Sequence, residues 1–283
     1  MILVTGATGN VGSAVLAQLV QEGQQVRVLA RNPAKLGEIA SKVEVVQGDL
    51  TKPETLDPAF AGAEKVFLLC NAGESMPEVI GGAVDAAKRA GVKHIVFLSS
   101  SSVAGDYAPS IGRWHTEAEA KIKASGIAWT MVRPGVFASN TLRWAGSIKA
   151  QGAVFEPAGR GAMAPIDPRD IAEVAVKALT TPGHEGQAYL LTGSEMLTPA
   201  EQLAIIGAAI GKPLRFVDVP VDAAREGMKK AGMDEALIQA LTEVFTTLRE
   251  GRGKEMTPTV EELLGRKPRT FAAWVQSNVE AFQ

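Results

Sequence analysis

Met1-Ile-Leu-Val-Thr-Gly-Ala-Thr-Gly-Asn-Val-Gly12 opens the chain, and this stretch decides the fold. The apolar run from Ile2 to Val4 predicts a buried parallel strand. Apolar residues at helical spacing over 14–20 predict an amphipathic helix directly after it. A glycine-rich turn that joins a buried strand to a helix is typical of a pyrophosphate-binding site.

Each of the three glycines in this turn has a predicted task. We expect Gly6 to let the chain leave the strand in a tight turn, and Gly9, which has no Cβ, to let a pyrophosphate approach the backbone. Gly12 allows close packing of the helix on the strand. The free N–H groups and the positive dipole of the helix N-terminus complete an anion site. The alternative is a turn that binds nothing.

Composition and charge narrow the class of protein. The chain has 283 residues, of which 46% are hydrophobic and 21% charged, as is common for a soluble globular protein with a sizeable core. The net charge of −2 argues against a general affinity for nucleic acid or anionic membrane, and no apolar stretch is long enough to span a bilayer. Because no basic leader precedes the first strand, we expect no signal peptide and a cytoplasmic location.

The number of cysteines limits disulfide and metal chemistry. Cys70 is the single cysteine, which excludes an internal disulfide and a cysteine-based metal cluster, so we predict no metal site. We expect Cys70 to act as a small core residue rather than as a reactive thiol.

Strand-like and helix-like runs alternate along the first 180 residues. Further strands are predicted at 26–30, 43–46, 66–70, 94–98 and 129–132, and helices around 79–90 and 117–124. This alternation predicts an α/β fold with a Rossmann-type, doubly wound parallel sheet and right-handed crossovers. Ligands of such sheets bind beyond the carboxyl ends of the strands.

The pattern changes after residue 182. Pro182-Gly183 breaks the chain, a strand is predicted at 188–192, and Thr198-Pro-Ala-Glu201 predicts the start of a helix. We therefore expect a main domain over 1–182, with a substrate-wall segment at about 137–165, and a smaller, mainly helical substrate-binding region over 183–283. Apolar residues at helical spacing over 233–245 either line a pocket or pack a small bundle.

Basic residues follow the second predicted strand. An NAD-selective site usually carries an acidic residue here for the ribose 2′-hydroxyl, whereas this chain has Arg31, with Lys35 one turn later. Because a guanidinium suits a 2′-phosphate, we predict a preference for NADPH. The alternative is a solvated loop with ordinary surface cations. At the end of the third strand, Asp49 either accepts from the adenine amino group or caps the helix after Pro53.

The residues after the fifth strand lack a familiar catalytic pair. In short-chain dehydrogenases a serine at the position of Ser99 aligns the substrate carbonyl, and a Tyr-x-x-x-Lys pair on the next helix supplies the proton. Here Tyr107 is followed four residues later by Ile111. His115 and Glu119 lie on one helical face and can pair.

Several motifs together identify a family. Gly6-Ala-Thr-Gly-Asn-Val-Gly12, His115-x-x-x-Glu119, Ser125-Gly-Ile127, Arg133-Pro-Gly-x-Phe-x-x-Asn140, Asp167-Pro-Arg-Asp-Ile-Ala172 and Tyr189-x-Leu-Thr-Gly193 resemble the NmrA-like group of atypical short-chain dehydrogenases. The resemblance is strongest to its NAD(P)H:quinone oxidoreductase and triphenylmethane reductase branch. It implies an NADPH-bound fold in which the dinucleotide is held by Gly6, Thr8, Gly9, Asn10, Val11 and Arg31. It also implies that Asp49, Leu50 and Asn71 flank the adenosine half and that Pro134 lies near the nicotinamide.

The resemblance also implies a reaction. Hydride passes from the nicotinamide to a conjugated acceptor such as a quinone or dye, and the developing anion is delocalised, which weakens the need for a Tyr-x-x-x-Lys pair. His115 stands at about the place of a catalytic lysine in isoflavone-reductase-like relatives. It either donates a proton or is a helix-start residue bonded to the backbone or to Glu119. Phe137, Trp144 and Phe155 are candidate walls for a flat acceptor.

Two other functions use the same turn. A non-catalytic NADP(H)-binding redox sensor has no need of the missing pair, and a fall in reduced-nicotinamide absorbance on adding quinones separates an enzyme from such a sensor. A sugar-nucleotide epimerase or dehydratase requires the pair, so we set that class aside. We expect a small-molecule acceptor as partner, and a homo-oligomer is compatible with the sequence.

Overall fold

The computed structural model describes residues 1–104, 108–253 and 255–283, and Tyr107 lies outside these ranges. It divides into two compact units. Unit 1 consists of Met1–Val103, Arg113–Pro134 and Pro168–Leu190, and unit 2 consists of Ala104–Gly112, Gly135–Asp167 and Leu191–Gln283. This division differs from a single break after residue 182, because the chain leaves the sheet after its sixth strand and joins the C-terminal residues until it returns at Pro168.

The helices and strands cover most of the described residues. The strands are β1 (Ile2–Thr5), β2 (Val26–Ala30), β3 (Glu44–Gln47), β4 (Lys65–Leu68), β5 (His94–Leu98), β6 (Ala128–Pro134), β7 (Ala153–Glu156), β8 (Gln187–Leu191) and β9 (Arg215–Asp218). The α-helices are α1 (Asn10–Gln21), α2 (Leu56–Phe60), α3 (Met76–Ala90), α4 (Pro109–Ala124), α5 (Ala145–Gln151), α6 (Pro168–Thr180), α7 (Pro199–Ile210), α8 (Val221–Lys230), α9 (Glu235–Arg249), α10 (Thr259–Leu264) and α11 (Phe271–Ser277).

Unit 1 is built on a seven-stranded sheet in the order β3-β2-β1-β4-β5-β6-β8. Strands β1 to β6 pair in parallel, and β1, β2 and β5 are buried along their whole length. The strand order reverses between β1 and β4, so right-handed crossovers place helices on both faces. Helix α1 contacts α6, and α2 contacts α3. The predicted Rossmann-type fold is confirmed.

Register within the sheet aligns the ends of two strands that matter for the site. Leu98 pairs with Val132, and the N–H of Ser99 donates to the carbonyl of Val132 at 2.7 Å. Ser99 and Arg133 therefore leave β5 and β6 side by side at the carboxyl edge of the sheet.

Helix α4 begins earlier than the helix predicted around 117–124. It starts at Pro109, a favoured first residue of a helix. Within unit 2, the carboxylate of Glu243 accepts from both the N–H and the hydroxyl of Ser110, at 2.8 Å each. A side chain 133 residues distant in sequence thus satisfies an N–H group of the first turn, and local patterning could not reveal it.

Unit 2 combines a small sheet with helices. Strand β7 pairs in parallel with β9, and α7 begins with the predicted capping box of Thr198 and Glu201. Of the apolar residues at helical spacing near the C-terminus, Ile238 and Phe245 are buried in packing, whereas Leu237 is 45% exposed. In the described ranges, none of the helices combines the length and the apolar character needed to cross a membrane.

Candidate functional site

The turn between β1 and α1 has the geometry of an anion-binding site. Gly6 has a positive φ of 66°, and the N–H of Gly9 donates to the carbonyl of Gly6 at 3.0 Å. Gly9 is the N-cap residue of α1 with an extended backbone, so no N-cap side chain competes for the N–H groups of the first turn. These groups and the helix dipole are directed at the space in front of the turn.

Two of the glycines are required for different reasons. A Cβ on Gly12 would lie 2.1 Å from the carbonyl oxygen of Gly6, so the packing of α1 against the turn requires this glycine. A Cβ on Gly9 would meet its nearest protein atom at 3.4 Å, an ordinary contact distance. Since nothing in the protein demands a glycine at position 9, close approach of a ligand is the physical reason that remains.

The predicted dinucleotide-binding residues of this turn differ in what they offer. Thr8 and Asn10 are exposed and present their side chains, whereas Val11 is buried and offers its backbone. Among the described residues, no group of three or more histidine, cysteine or acidic side chains is arranged to hold a metal ion.

Arg31 follows β2 directly, and its side chain is exposed, as is that of Lys35. Neither side chain forms a salt bridge with any residue in the described ranges. Asn32 accepts from the N–H of Ala34 and so begins the short helical segment after β2. The two cations are therefore held next to the carboxyl edge of the sheet with their charges available to an anion.

Asp49 lies at the end of β3 and is fixed by its own turn. Its carboxylate accepts from the N–H of Thr51 at 3.0 Å. This hydrogen bond, with help from the charge of Arg31, lowers the pKa of Asp49. The following short helix, Pro53–Thr55, has Lys52 as its N-cap residue and no side-chain cap, so the alternative in which Asp49 caps that helix is wrong. The adenine contact stays a prediction.

The remaining predicted residues of the adenosine half lie nearby in the chain. Leu50 is half-buried and Asn71 is exposed, and Pro134 closes β6 as a buried residue. Burial raises the pKa of the Cys70 thiol to about 11, so at neutral pH this side chain is an un-ionised thiol and a poor nucleophile.

Four polar side chains meet where β5, β6 and α4 come together, and we refer to Ser99, Glu119, Lys123 and Arg133 as the Glu119 cluster. The carboxylate of Glu119, only 2% exposed, receives hydrogen bonds from the Ser99 hydroxyl at 2.7 Å and from Lys123 at 3.1 Å. Arg133 binds both of its oxygens, through Nε at 2.8 Å and Nη2 at 2.6 Å.

The electrostatics of this cluster are those of a permanent ion pair. Burial alone would raise the pKa of Glu119, but the hydrogen bonds from Arg133 and Ser99 outweigh burial and hold the pKa below its usual value. Glu119 is therefore ionised at neutral pH and cannot act as a proton donor. Because the Ser99 hydrogen is committed to Glu119, the Ser99 hydroxyl can only accept from a ligand. Spacing along α4 alone does not reveal this arrangement, although an arginine near the end of an apolar strand signals a buried partner.

His115 lies on α4, four residues before Glu119, and its side chain is half-buried. Its ring centroid is 6.3 Å from that of Phe97 on β5. The helix thus holds His115 close to the strand whose carboxyl end carries Ser99. A direct bond between His115 and Glu119 and a role in proton transfer both stay predictions.

The three predicted wall residues lie in unit 2 and differ in exposure. Phe137 is half-buried, Phe155 on β7 is 47% exposed, and Trp144 is 5% exposed within a core cluster. The indole N–H of Trp144 donates to the carboxylate of Glu156. Only Phe137 and Phe155 therefore have aromatic surface to offer a ligand, and the wall role stays a prediction for all three.

Comparison with known proteins agrees with this geometry. Residues 6–182 match the model of a family described as NAD(P)H-binding. The chain belongs to this family. The matched residues include the glycine turn, Arg31, the Glu119 cluster and the whole of β2 to β6.

Named relatives extend the similarity to the full chain. An NAD(P)H azoreductase from Xenophilus azovorans is 39% identical, over 100% of this chain and 99% of that protein. A (4-alkanoyl-5-oxo-2,5-dihydrofuran-3-yl)methyl phosphate reductase from Streptomyces griseus is 43% identical over the same shares. The structure of an NADPH-dependent quinone oxidoreductase from Escherichia coli in complex with NADPH superimposes with a TM-score of 0.86 at 27% identity, covering 99% of this chain and 100% of that one. The predicted resemblance to the quinone reductase branch of the NmrA-like group is confirmed.

Proposed function

We propose that this protein is an NADPH-dependent oxidoreductase that reduces a conjugated acceptor such as a quinone or a dye. The observation that carries the proposal is the uncapped glycine turn in front of α1, combined with two exposed cations at the end of β2 that form no salt bridge within the described ranges. The turn suits the pyrophosphate of a dinucleotide, and the cations suit a 2′-phosphate.

The dinucleotide fits the residues of unit 1 along the carboxyl edge of the sheet. Gly6, Thr8, Gly9, Asn10 and Val11 would hold the pyrophosphate region, and Arg31 would bind the 2′-phosphate. Asp49, Leu50 and Asn71 would flank the adenosine half, and Pro134 would lie near the nicotinamide. When bound, NADPH supplies a hydride, and the protein supplies orientation and charge.

The acceptor class follows from what the relatives reduce and from what this chain lacks. The named relatives are reductases of azo compounds, quinones and an alkanoyl-oxo-dihydrofuran, all of which are conjugated electrophiles. Their reduction spreads negative charge over several atoms, so a dedicated Tyr-x-x-x-Lys pair is not needed. His115 is the proposed proton donor, since an imidazole exchanges protons near neutral pH.

A two-stage experiment tests the proposal. The purified protein is first titrated with NADPH and NADH, and we expect tighter binding of NADPH. A panel of quinones, azo dyes, triphenylmethane dyes and butenolides is then added, and the fall in reduced-nicotinamide absorbance is followed. Failure to bind either nucleotide at millimolar concentration contradicts the proposal. Binding of NADPH without oxidation by any acceptor supports the redox-sensor alternative instead.

We also propose that the protein is cytoplasmic, that its partner is a small molecule rather than a nucleic acid or a membrane, and that it forms a homo-oligomer. The small-molecule partner agrees with the net charge of −2 and with the reductases that this chain resembles. Sedimentation of the purified protein measures the third.

A further inference from the structure

One part of the Glu119 cluster has unused binding capacity. Arg133 contacts Glu119 through Nε and Nη2, which form one edge of the planar guanidinium. The remaining nitrogen, Nη1, has no hydrogen-bond partner in the part of the chain that the structure describes, and the side chain is 18% exposed. Nη1 lies on the opposite edge, so its two N–H groups are directed away from Glu119. A positive charge with two available donors is thus fixed in place.

The position of this charge relates it to the proposed reaction. Arg31 at the end of β2 marks the side of the sheet for the adenosine half of the dinucleotide. The nicotinamide half then lies on the other side of β1, over the ends of β4, β5 and β6. Arg133 and Ser99 stand at the ends of β6 and β5, where hydride transfer would occur.

We propose that Arg133 is a catalytic residue that donates from Nη1 to the oxygen anion formed on the reduced acceptor, and that Glu119 is the positioning residue that aims it. This inference rests on the proposed function. The pair of Glu119 and Arg133 links α4 to β6. In this proposal the same pair also stabilises the negative charge that forms on the reduced acceptor.

Charge balance explains why such a donor is needed. A neutral quinone gains a hydride with both electrons of the broken C–H bond of NADPH, and it carries one negative charge until a proton joins its oxygen. A fixed guanidinium N–H stabilises that charge without reorganisation. Neither neighbour can replace it, because Glu119 is ionised and Ser99 has already donated its hydrogen. The proton itself comes from His115 or from solvent.

A spectroscopic titration tests the donor without any turnover. The protein is saturated with NADP⁺, 4-nitrophenol is added as an analogue of the reduced acceptor, and the nitrophenolate absorbance is followed against pH. Because an opposite charge within hydrogen-bond reach lowers a pKa by about one to three units, we expect the bound phenol to ionise at least about one pH unit below the free phenol. Absence of a bound, shifted phenol in the wild-type protein contradicts the proposal.

The matched variants are chosen so that no buried charge is left without a partner. Arg133→Met alone would leave Glu119 as a buried, unpaired charge, so Glu119→Met is made with it, and apolar side chains of similar size replace the pair. We expect this double variant to lose the shift. Arg113→Met, which removes an exposed arginine from the same helix as Glu119, is the control and should retain it. An equal shift in the double variant overturns the proposal.

Kinetics separate this role from a structural one. Across a series of quinones of graded reduction potential, loss of an anion-stabilising donor should cost most with the poorest electrophiles, by about a hundredfold in kcat/KM. An equal loss with every acceptor, at unchanged NADPH affinity, would mean that the pair only holds α4 in place. If none of the tested acceptors is reduced by NADPH in the presence of the wild-type protein, the proposed function fails. The 4-nitrophenol titration still reports on Arg133 separately.

Discussion

Gly12 and Gly6 approach each other so closely that a Cβ on Gly12 would lie 2.1 Å from the carbonyl oxygen of Gly6. No side chain fits in that space, so Gly12→Ala must displace the start of α1 from the turn. We expect a lower melting temperature together with weaker NADPH binding, because the N–H groups at the helix start move with it. Thermal unfolding and a nucleotide titration on the same sample measure both effects.

Gly9→Ala provides the matched contrast, because the backbone of Gly9 is extended and a Cβ there meets no protein atom closer than 3.4 Å. We expect a change in unfolding free energy of about 1 kcal/mol or less, since alanine is a somewhat poorer N-cap residue than glycine. NADPH affinity should nevertheless fall by at least tenfold. Unchanged affinity would mean that no phosphate approaches this glycine.

Arg31→Ala is expected to remove the preference for NADPH. A charge-assisted interaction with a phosphate contributes about 1.5–3 kcal/mol, so the Kd for NADPH should rise by about ten- to a hundredfold while the Kd for NADH changes little. Lys35→Ala tests the second cation and should have a smaller effect, because an ammonium makes no bidentate contact. Calorimetric titration at two salt concentrations measures the electrostatic part of the binding free energy of each nucleotide. Equal losses for the two nucleotides would contradict a 2′-phosphate contact.

Two buried histidines of unit 1 are held in neutral form. The Thr130 hydroxyl donates to the carbonyl of His184 at 2.6 Å, so the Nε2 of His94, 2.9 Å from that hydroxyl, must donate to it. The Nδ1 of His94 has no partner in the described ranges, so a proton added there would have no acceptor. Burial lowers the pKa of both histidines, and Lys65 lowers both further while Glu185 opposes the shift.

The pH dependence of stability follows from these lowered pKa values. Above the usual histidine pKa of 6.5, His94 and His184 are neutral in both the folded and the unfolded protein. As the pH falls below 6.5, these histidines take up protons in the unfolded chain first. We therefore expect the unfolding free energy to decrease on acidification from about pH 6.5, by at most about 1.4 kcal/mol per pH unit for each histidine. Urea unfolding at a series of pH values measures the slope. The double variant His94→Gln/His184→Gln should flatten it, and an unchanged slope would assign it to other groups.

Trp144→Phe separates a packing role from a wall role. The substitution removes the N–H that binds Glu156, a carboxylate that is 4% exposed, and leaves Arg143 as its other partner. We expect a loss of about 1–3 kcal/mol in unfolding free energy with no change in the KM for quinones. Phe155→Ala, at an exposed position on β7, is the counterpart and should leave stability nearly unchanged. A raised KM in Trp144→Phe at unchanged stability would instead support the predicted wall role of Trp144.

Much of unit 1 could be predicted because its determinants are local. The predicted strands at 26–30 and 94–98 have the same bounds as β2 and β5, since short, mostly apolar runs rich in β-branched residues are typical of a strand buried on both faces. The start of α4 could not be predicted in this way. It depends on Glu243, whose contact with Ser110 exists only after the C-terminal helices have packed.

Part of the candidate site could likewise be predicted from the sequence, and part could not. The glycine turn and Arg31 are contiguous with β1 and β2, so their spacing is visible in the sequence. Lys123 lies four residues from Glu119 on the same helix, but its other two partners, Ser99 and Arg133, are 20 and 14 residues away. These two meet at Glu119 because register places the ends of β5 and β6 side by side. Spacing along one helix favoured His115 as a partner of Glu119, whereas pairing between strands brings in the residues that supply three of the four hydrogen bonds to its carboxylate.

The saturation of Glu119 also constrains how this scaffold can be engineered. Four hydrogen bonds converge on one carboxylate, so any substitution there disturbs three other side chains at once. Libraries aimed at new dyes or quinones should therefore keep Ser99, Glu119 and Arg133 fixed and place their diversity at exposed aromatic positions such as Phe155. Such variation would test the predicted wall role of Phe155 while the ion pair that joins α4 to β6 is left intact.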